Sequence, residues 1–157
     1  MKLLCDQMLG TLAKWLRIYG FDTFYANMEM DDSYIIDMCK KDERVLITRD
    51  KELIIRARKE NLKTIGIKSI DINEQIKIII SKIEIDSKKL LSRCILCNSL
   101  VEDIKKSEVK EKVPERVYRN NDKFWYCKNC DKIYWKGSHF ENMIEKINQI
   151  KKSIEAS

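Results

Sequence analysis

Lys2-Leu3-Leu4-Cys5-Asp6 is a short apolar run stopped by a carboxylate, and Val45-Leu46-Ile47-Thr48-Arg49-Asp50 repeats that arrangement further along the chain. Runs this short and this continuously apolar suit strands covered on both faces, the situation inside a parallel sheet. The residues around them fit. Met8, Leu9, Leu12, Leu16 and Tyr19 recur at helical spacing, and Gly20 supplies a stop. Phe21–Tyr25 reads as a strand, Asp31, Asp32 and Ser33 as caps for a helix through Ile35, Ile36, Met38 and Cys39, and Asp50 as the cap of a helix to about Lys59. Leu62–Ile67 adds a strand, and Ile72–Ile85 a helix opened by Asp71 or Asn73. Strands alternating with helices in this way predict an α/β fold with a central parallel sheet.

The remaining composition narrows the class. A chain of 157 residues, 44% hydrophobic, is long enough to bury a real core and too apolar to be disordered throughout. It holds no apolar run of membrane-spanning length, and Met1 leads straight into Lys2–Asp6 without a signal peptide. These features point to a soluble, cytoplasmic protein. The net charge of +6 is unevenly placed: residues 1–86 carry fifteen basic and fifteen acidic side chains, residues 87–157 sixteen and ten. With four of the six cysteines also in the second segment, the expected division is an α/β domain over 1–86 and a small metal-stapled domain over 87–157.

In a parallel α/β sheet the working site lies beyond the carboxyl ends of the strands. Asp6 and Asp50 fall there, and Asp31 and Asp32 open the helix between them. Carboxylates that converge repel one another unless a cation joins them, and hard oxygen donors favour Mg²⁺ or Mn²⁺ over zinc. Such an ion suits phosphodiester hydrolysis. The same aspartates also stand where helix caps are expected, so spacing alone fits capping equally well.

Cys94-Ile-Leu-Cys97 and Cys127-Lys-Asn-Cys130 are two C-x-x-C turns, each able to offer two thiolates to one tetrahedral ion. Together they predict a closed, structural four-cysteine zinc site in a zinc ribbon, with disulfides disfavoured in a cytoplasmic chain. Aromatic residues interleave with cations here: Tyr118, Phe124, Trp125, Tyr126, Tyr134 and Trp135 among Arg116, Arg119, Lys123, Lys128, Lys132 and Lys136. They suit either base stacking with phosphate contacts or the ribbon's own small core, with about half expected to be buried. His139 reads as a surface or substrate-contact residue. Met143, Ile147, Ile150 and Ile154 predict a terminal helix over about 140–154.

Long ordered motifs then carry a family resemblance. Asp6-x-Met8-Leu9-Gly10-x-Leu12-Ala13-Lys14-Trp15-Leu16-Arg17, Gly20-Phe21-Asp22-Thr23, Thr48-Arg49-Asp50, Arg93-Cys94-x-x-Cys97-Asn98, Cys127-x-x-Cys130 and Tyr134-Trp135-x-Gly137-Ser138-His139 resemble the Mut-seven C-terminal RNase domain family over residues 2 to about 143. The resemblance implies a PIN-like three-layer α/β/α fold with an appended zinc ribbon. It also implies an Mg²⁺- or Mn²⁺-dependent endoribonuclease with Asp6, Asp32 and Asp50 as metal-binding catalytic residues. Asp31 competes with Asp32, which has the better offset from Ile35, and Glu52 is the nearest candidate for a fourth acid. Lys14, Arg17 and Arg49 match basic positions suited to RNA, joined on the ribbon by Lys136 and His139. RNA, alone or within a ribosome or other ribonucleoprotein, is the implied partner. The competing reading is a non-catalytic RNA- or ribosome-binding module that uses the ribbon.

Overall fold

The computed structural model describes residues 1–156 and divides into two compact units, Met1–Asn98 and Ser99–Ser157. In the first unit, β1 (Lys2–Cys5), β2 (Asp22–Tyr25), β3 (Arg44–Thr48) and β4 (Thr64–Gly66) form one parallel sheet in the order β2-β1-β3-β4. The register pairs Lys2–Cys5 with both Asp22–Tyr25 and Arg44–Ile47, so β1 has a parallel neighbour on each side and the order in which strands are added reverses there. Four helices connect and cover the sheet: α1 (Gly10–Ile18), α2 (Asp32–Asp42), α3 (Lys51–Lys59) and α4 (Ile72–Lys82). Leu4 and Leu46 pack with Ile35, Ile36 and Cys39 of α2 and with Leu53 and Ala57 of α3. The alternate residues, Leu3, Cys5, Val45 and Ile47, are buried on the opposite face. The α/β expectation holds, with strand and helix ends shifted by a few residues.

Local chemistry sets the boundaries. Asp31, Asp50 and Asp71 each cap a helix through a side-chain oxygen, at 2.8 Å to Tyr34 N, 2.9 Å to Glu52 N and 3.0 Å to Asn73 N. Gly20 follows α1 at φ +93°, and a β-carbon there would lie 2.3 Å from the Lys89 carbonyl oxygen. That position requires glycine.

The division at Asn98 corrects the one read from composition at 86/87. Residues 87–98 belong with the sheet: Leu91 N–H donates to Ile18 O (2.8 Å), and Asn98 bridges to Asp22 and Thr23. The charge excess is therefore shared between the units and not confined to the second. Residues 1–98 carry eighteen basic and fifteen acidic side chains, residues 99–156 thirteen and ten.

The second unit holds an antiparallel sheet in the order β5-β6-β7, from β5 (Glu102–Ile104), β6 (Phe124–Cys127) and β7 (Lys132–Tyr134). Two short helices, α5 (Lys106–Val109) and α6 (Glu115–Asn120), lie between β5 and β6, and α7 (Ser138–Glu155) closes the chain. Val109, Phe124, Cys127, Tyr134, Met143 and Ile147 form its buried apolar set. Of the six aromatic residues only Phe124 and Tyr134 are buried, and Tyr118, Trp125, Tyr126 and Trp135 are half-buried, fewer than the half expected. Among the described residues, no helix is long and apolar enough to cross a membrane.

Candidate active site and cysteine cluster

The strand order reverses between β1 and β3, and in open α/β sheets ligands usually bind beyond the carboxyl ends of the strands at such a point. Asp6 follows β1 directly and is only 4% exposed. Its Oδ1 accepts from Met8 N–H (3.1 Å) and its Oδ2 from the Thr48 hydroxyl. Thr48, fully buried at the end of β3, accepts in turn from Asp50 N–H at 3.0 Å. One hydroxyl thus links the residue after β1 to the residue that opens α3. Sequence reading places Thr48 in a strand and assigns it no role; the usable signal is a hydroxyl two residues before a capping Asp.

Burial pushes the Asp6 carboxyl above its ordinary range. The bonds from Thr48 and Met8 oppose that shift, while the charges of Asp50 and then Asp32 add to it. Asp32 and Asp50 therefore both lie within electrostatic reach of Asp6. Asp31 commits Oδ1 to capping α2, whereas Asp32 lies one residue inside that helix. Asp50 uses Oδ1 for both Glu52 N–H and Leu53 N–H, which leaves Oδ2 outside the capping bonds. Glu52 is exposed in the first turn of α3. Among the described residues, none of Asp6, Asp32 and Asp50 forms an ion pair with Lys or Arg. Nor do their oxygens meet within 4.8 Å as a group of three; among the described residues that spacing belongs to the cysteines alone.

The basic residues are dispersed. Lys14 is exposed on α1, Lys136 is exposed with Nζ 5.7 Å from the Trp125 ring and 5.6 Å from that of Phe140, and His139 is exposed in the first turn of α7. Arg49 is half-buried, and its Nε is buried without a hydrogen-bond partner. Arg17 has a different occupation. Only 8% exposed, it donates from Nε to Thr23 O (2.9 Å) and from Nη1 to Ile95 O (2.8 Å) and Leu96 O (3.3 Å). Its guanidinium holds the first C-x-x-C turn and is not presented to solvent.

The sulfurs of Cys94, Cys97, Cys127 and Cys130 all lie within 4.8 Å of one another, Cys94 and Cys127 buried and the other two half-buried. A tetrahedral ion with sulfur bonds of about 2.3 Å needs four donors of this kind and spacing, so the cluster fits zinc and leaves no open position. Both turns end alike: Asn98 at φ +71° and Asp131 at φ +51° take the left-handed conformation that Asn and Asp tolerate best. Asn98 N–H closes the first turn on Cys94 O (2.9 Å), and Asp131 accepts from the Tyr126 hydroxyl (2.7 Å).

The family model described as the Mut7-C RNAse domain matches residues 1–147. The chain belongs to that family. No curated protein and no solved structure is found to match it. As a Mut7-C RNAse domain it carries nuclease activity as its implied general function and RNA as the implied substrate class. The match runs through the parallel sheet and both cysteine pairs, and ends inside α7.

Proposed function

We propose that this Mut7-C RNAse domain is a PIN-like, Mg²⁺- or Mn²⁺-dependent endoribonuclease of single-stranded RNA, with Asp6, Asp32 and Asp50 holding the metal. One observation carries the reading: Asp6, buried where the strand order reverses, has its carboxyl pushed up by burial and further by the charges of Asp50 and Asp32, and among the described residues it has no basic partner. Three like charges left in that state call for a cation, and their oxygens are the donors a hard divalent ion prefers. When bound, such an ion supplies an activated water and stabilises the leaving oxygen. The chain's residues do the rest. Thr48 fixes the Asp6 carboxylate, Asp50 keeps one oxygen apart from its capping bonds, and Arg49 is the nearest basic residue in sequence to meet a phosphate oxygen. Lys14, Lys136 and His139 are exposed and remain available to the RNA backbone, whereas Arg17 is assigned to the cysteine turn.

The test uses Asp50→Asn. Asparagine keeps Oδ1 as the helix cap and removes only the charge, so α3 is retained. Cleavage of a labelled single-stranded RNA in Mn²⁺ is expected to fall by about a hundredfold or more, roughly the scale of losing one metal-positioning group. Tight RNA binding with no product from the unaltered protein at any Mn²⁺ concentration would instead favour the non-catalytic binding module.

A further inference from the structure

A cavity of about 780 Å³ lies in the first unit beside the outer strand of the sheet. Five cations line it: Arg49 from the turn after β3, Lys51 and Arg58 from α3, Lys68 just after β4, and Lys82 at the end of α4. Among the described residues, no carboxylate lines it. Among the described residues, none of the five is in an ion pair. Five like charges around one hollow repel, and they are stable together where an anion joins them.

Part of this charge has a local explanation. Arg58 and Lys82 occupy the last turns of α3 and α4, where a cation offsets the negative end of the helix dipole. Lys51 has the opposite setting. It is the first residue of α3, at the positive end of that helix, where the dipole disfavours a cation and favours an anion. Arg49 Nε is buried without a hydrogen-bond partner and belongs to the same lining. An orphaned buried donor and a cation at the wrong helix end both point to a ligand that accepts hydrogen bonds and carries negative charge. Thr64–Gly66 of β4 form part of the wall, and among the described residues the outer edge of that strand has no neighbouring strand. At Gly66 a β-carbon would come within 3.0 Å of the Ile54 side chain, so the missing side chain leaves that wall low.

Arg49 precedes Asp50, so this cavity adjoins the proposed catalytic aspartates along the chain itself. We infer that it is a phosphate track that grips the RNA backbone to one side of the scissile bond. The inference rests on the ribonuclease reading and adds a binding site to it. The ligand chemistry is a phosphodiester; a free mononucleotide shares it and is separated from RNA by the experiment.

The experiment compares three proteins, each carrying Asp50→Asn and each titrated with a single-stranded RNA of about a dozen nucleotides without added divalent metal. One has no other change. The second carries Arg58→Gln, Lys68→Gln and Lys82→Gln, charge-removing changes at exposed positions, with its fold checked by circular dichroism and thermal unfolding. The third carries Lys2→Gln, Lys41→Gln and Lys88→Gln, an equal charge loss at exposed sites outside the lining. The cavity variant is expected to bind about tenfold or more weakly, with the slope of log affinity against log salt reduced by about 2, the value for three lost contacts on a single strand. The control variant is expected to bind as the parent does. Equal weakening in both variants, or none in the cavity variant, overturns the track. So does adenosine monophosphate binding that the cavity changes abolish while RNA affinity stays intact. Cleavage persisting in Asp50→Asn would sink the catalytic assignment separately, because the binding comparison does not depend on turnover.

Discussion

Asp22 shows how one side chain can serve both a strand and a cysteine turn. At the start of β2 it accepts from Arg44 Nη1 (2.9 Å) and from Asn98 Nδ2 (2.7 Å), with Arg93 4.0 Å away. Burial pushes its carboxyl up, but the bonds from Asn98 and Arg44 and the charges of Arg44 and Arg93 outweigh that, leaving it below the ordinary range. A depressed folded-state value means that the unfolded chain binds the proton more readily. The stabilisation is complete above the ordinary carboxylate range and is lost as pH falls through the depressed value. Asp22→Asn is expected to flatten that acid limb in thermal unfolding followed against pH. Asp22→Ala should cost about 2 kcal/mol near neutrality, on the scale of charge-assisted bonds at a partly buried site. Unchanged acid sensitivity in Asp22→Asn would remove the argument. Arg17 gives the companion prediction at the other end of the same turn. With its two bonds to Ile95 O and Leu96 O absent, Arg17→Ala should weaken zinc binding about tenfold to a hundredfold in chelator competition. Arg17→Lys should recover only part of that, because an ammonium cannot reproduce the planar fork. Equal zinc affinity in all three proteins would return Arg17 to simple packing.

At the scale of elements, helix ends are the most readable feature and strand ends the least. Asp31, Asp50 and Asp71 can be read as caps because a side-chain oxygen at that position answers a local need of the backbone. Gly20 is readable as a helix stop because its positive φ belongs to the end of α1, whereas the close approach of the Lys89 carbonyl oxygen is a tertiary constraint that no local pattern reports. The strand predicted over Leu62–Ile67 is only Thr64–Gly66, because pairing with Leu46–Thr48 sets its length and that partner is remote in sequence. β5 leaves no such trace: Glu102-Asp103-Ile104 has no alternating apolar pattern, and what makes it a strand is pairing with Phe124–Tyr126. The candidate site divides in the same way. The aspartates at strand ends are readable from the α/β order, but the Thr48 link and the burial of Arg17 depend on tertiary contacts that no spacing reports. One helix end departs from preference. Glu43 terminates α2 at φ +55°, a conformation that costs a side chain about 1 kcal/mol relative to glycine. Glu43 is exposed, so Glu43→Gly is expected to raise stability by up to about that amount, measured by chemical denaturation. A loss of stability would mean that Glu43 makes contributions beyond its backbone conformation.

For the whole molecule, the informative quantity is how each unit would respond to loss of a metal held by the cysteine cluster. The first unit buries both faces of a four-stranded sheet, including Leu3, Leu4, Leu46, Ile47, Leu12, Leu16 and Leu53, and has the core of a self-supporting domain. The second has 59 residues, three short strands and few buried apolar side chains, a size at which a core alone is marginal. Cys127 and Cys130 flank the turn of its β6–β7 hairpin, so an ion held by the cysteine cluster would contribute to its folding energy. Cys94 and Cys97 instead lie on a turn already tied to the sheet of the first unit through Arg17, Asn98 and the ion pair of Arg93 with Asp22. Removing the metal should therefore have unequal consequences. With a strong chelator, amide protection is expected to collapse in β6, β7 and α7, to fall only partly over 93–98, and to persist in β1 and β3. The same treatment should convert one cooperative thermal transition into two, the lower one restored by added zinc. Hydrogen exchange read by mass spectrometry distinguishes this from the alternative in which all strands lose protection together, which would make the metal a requirement of the entire fold. Persistence of protection in β6 and β7 after complete metal removal would show that Phe124, Tyr134, Met143 and Ile147 suffice as a core.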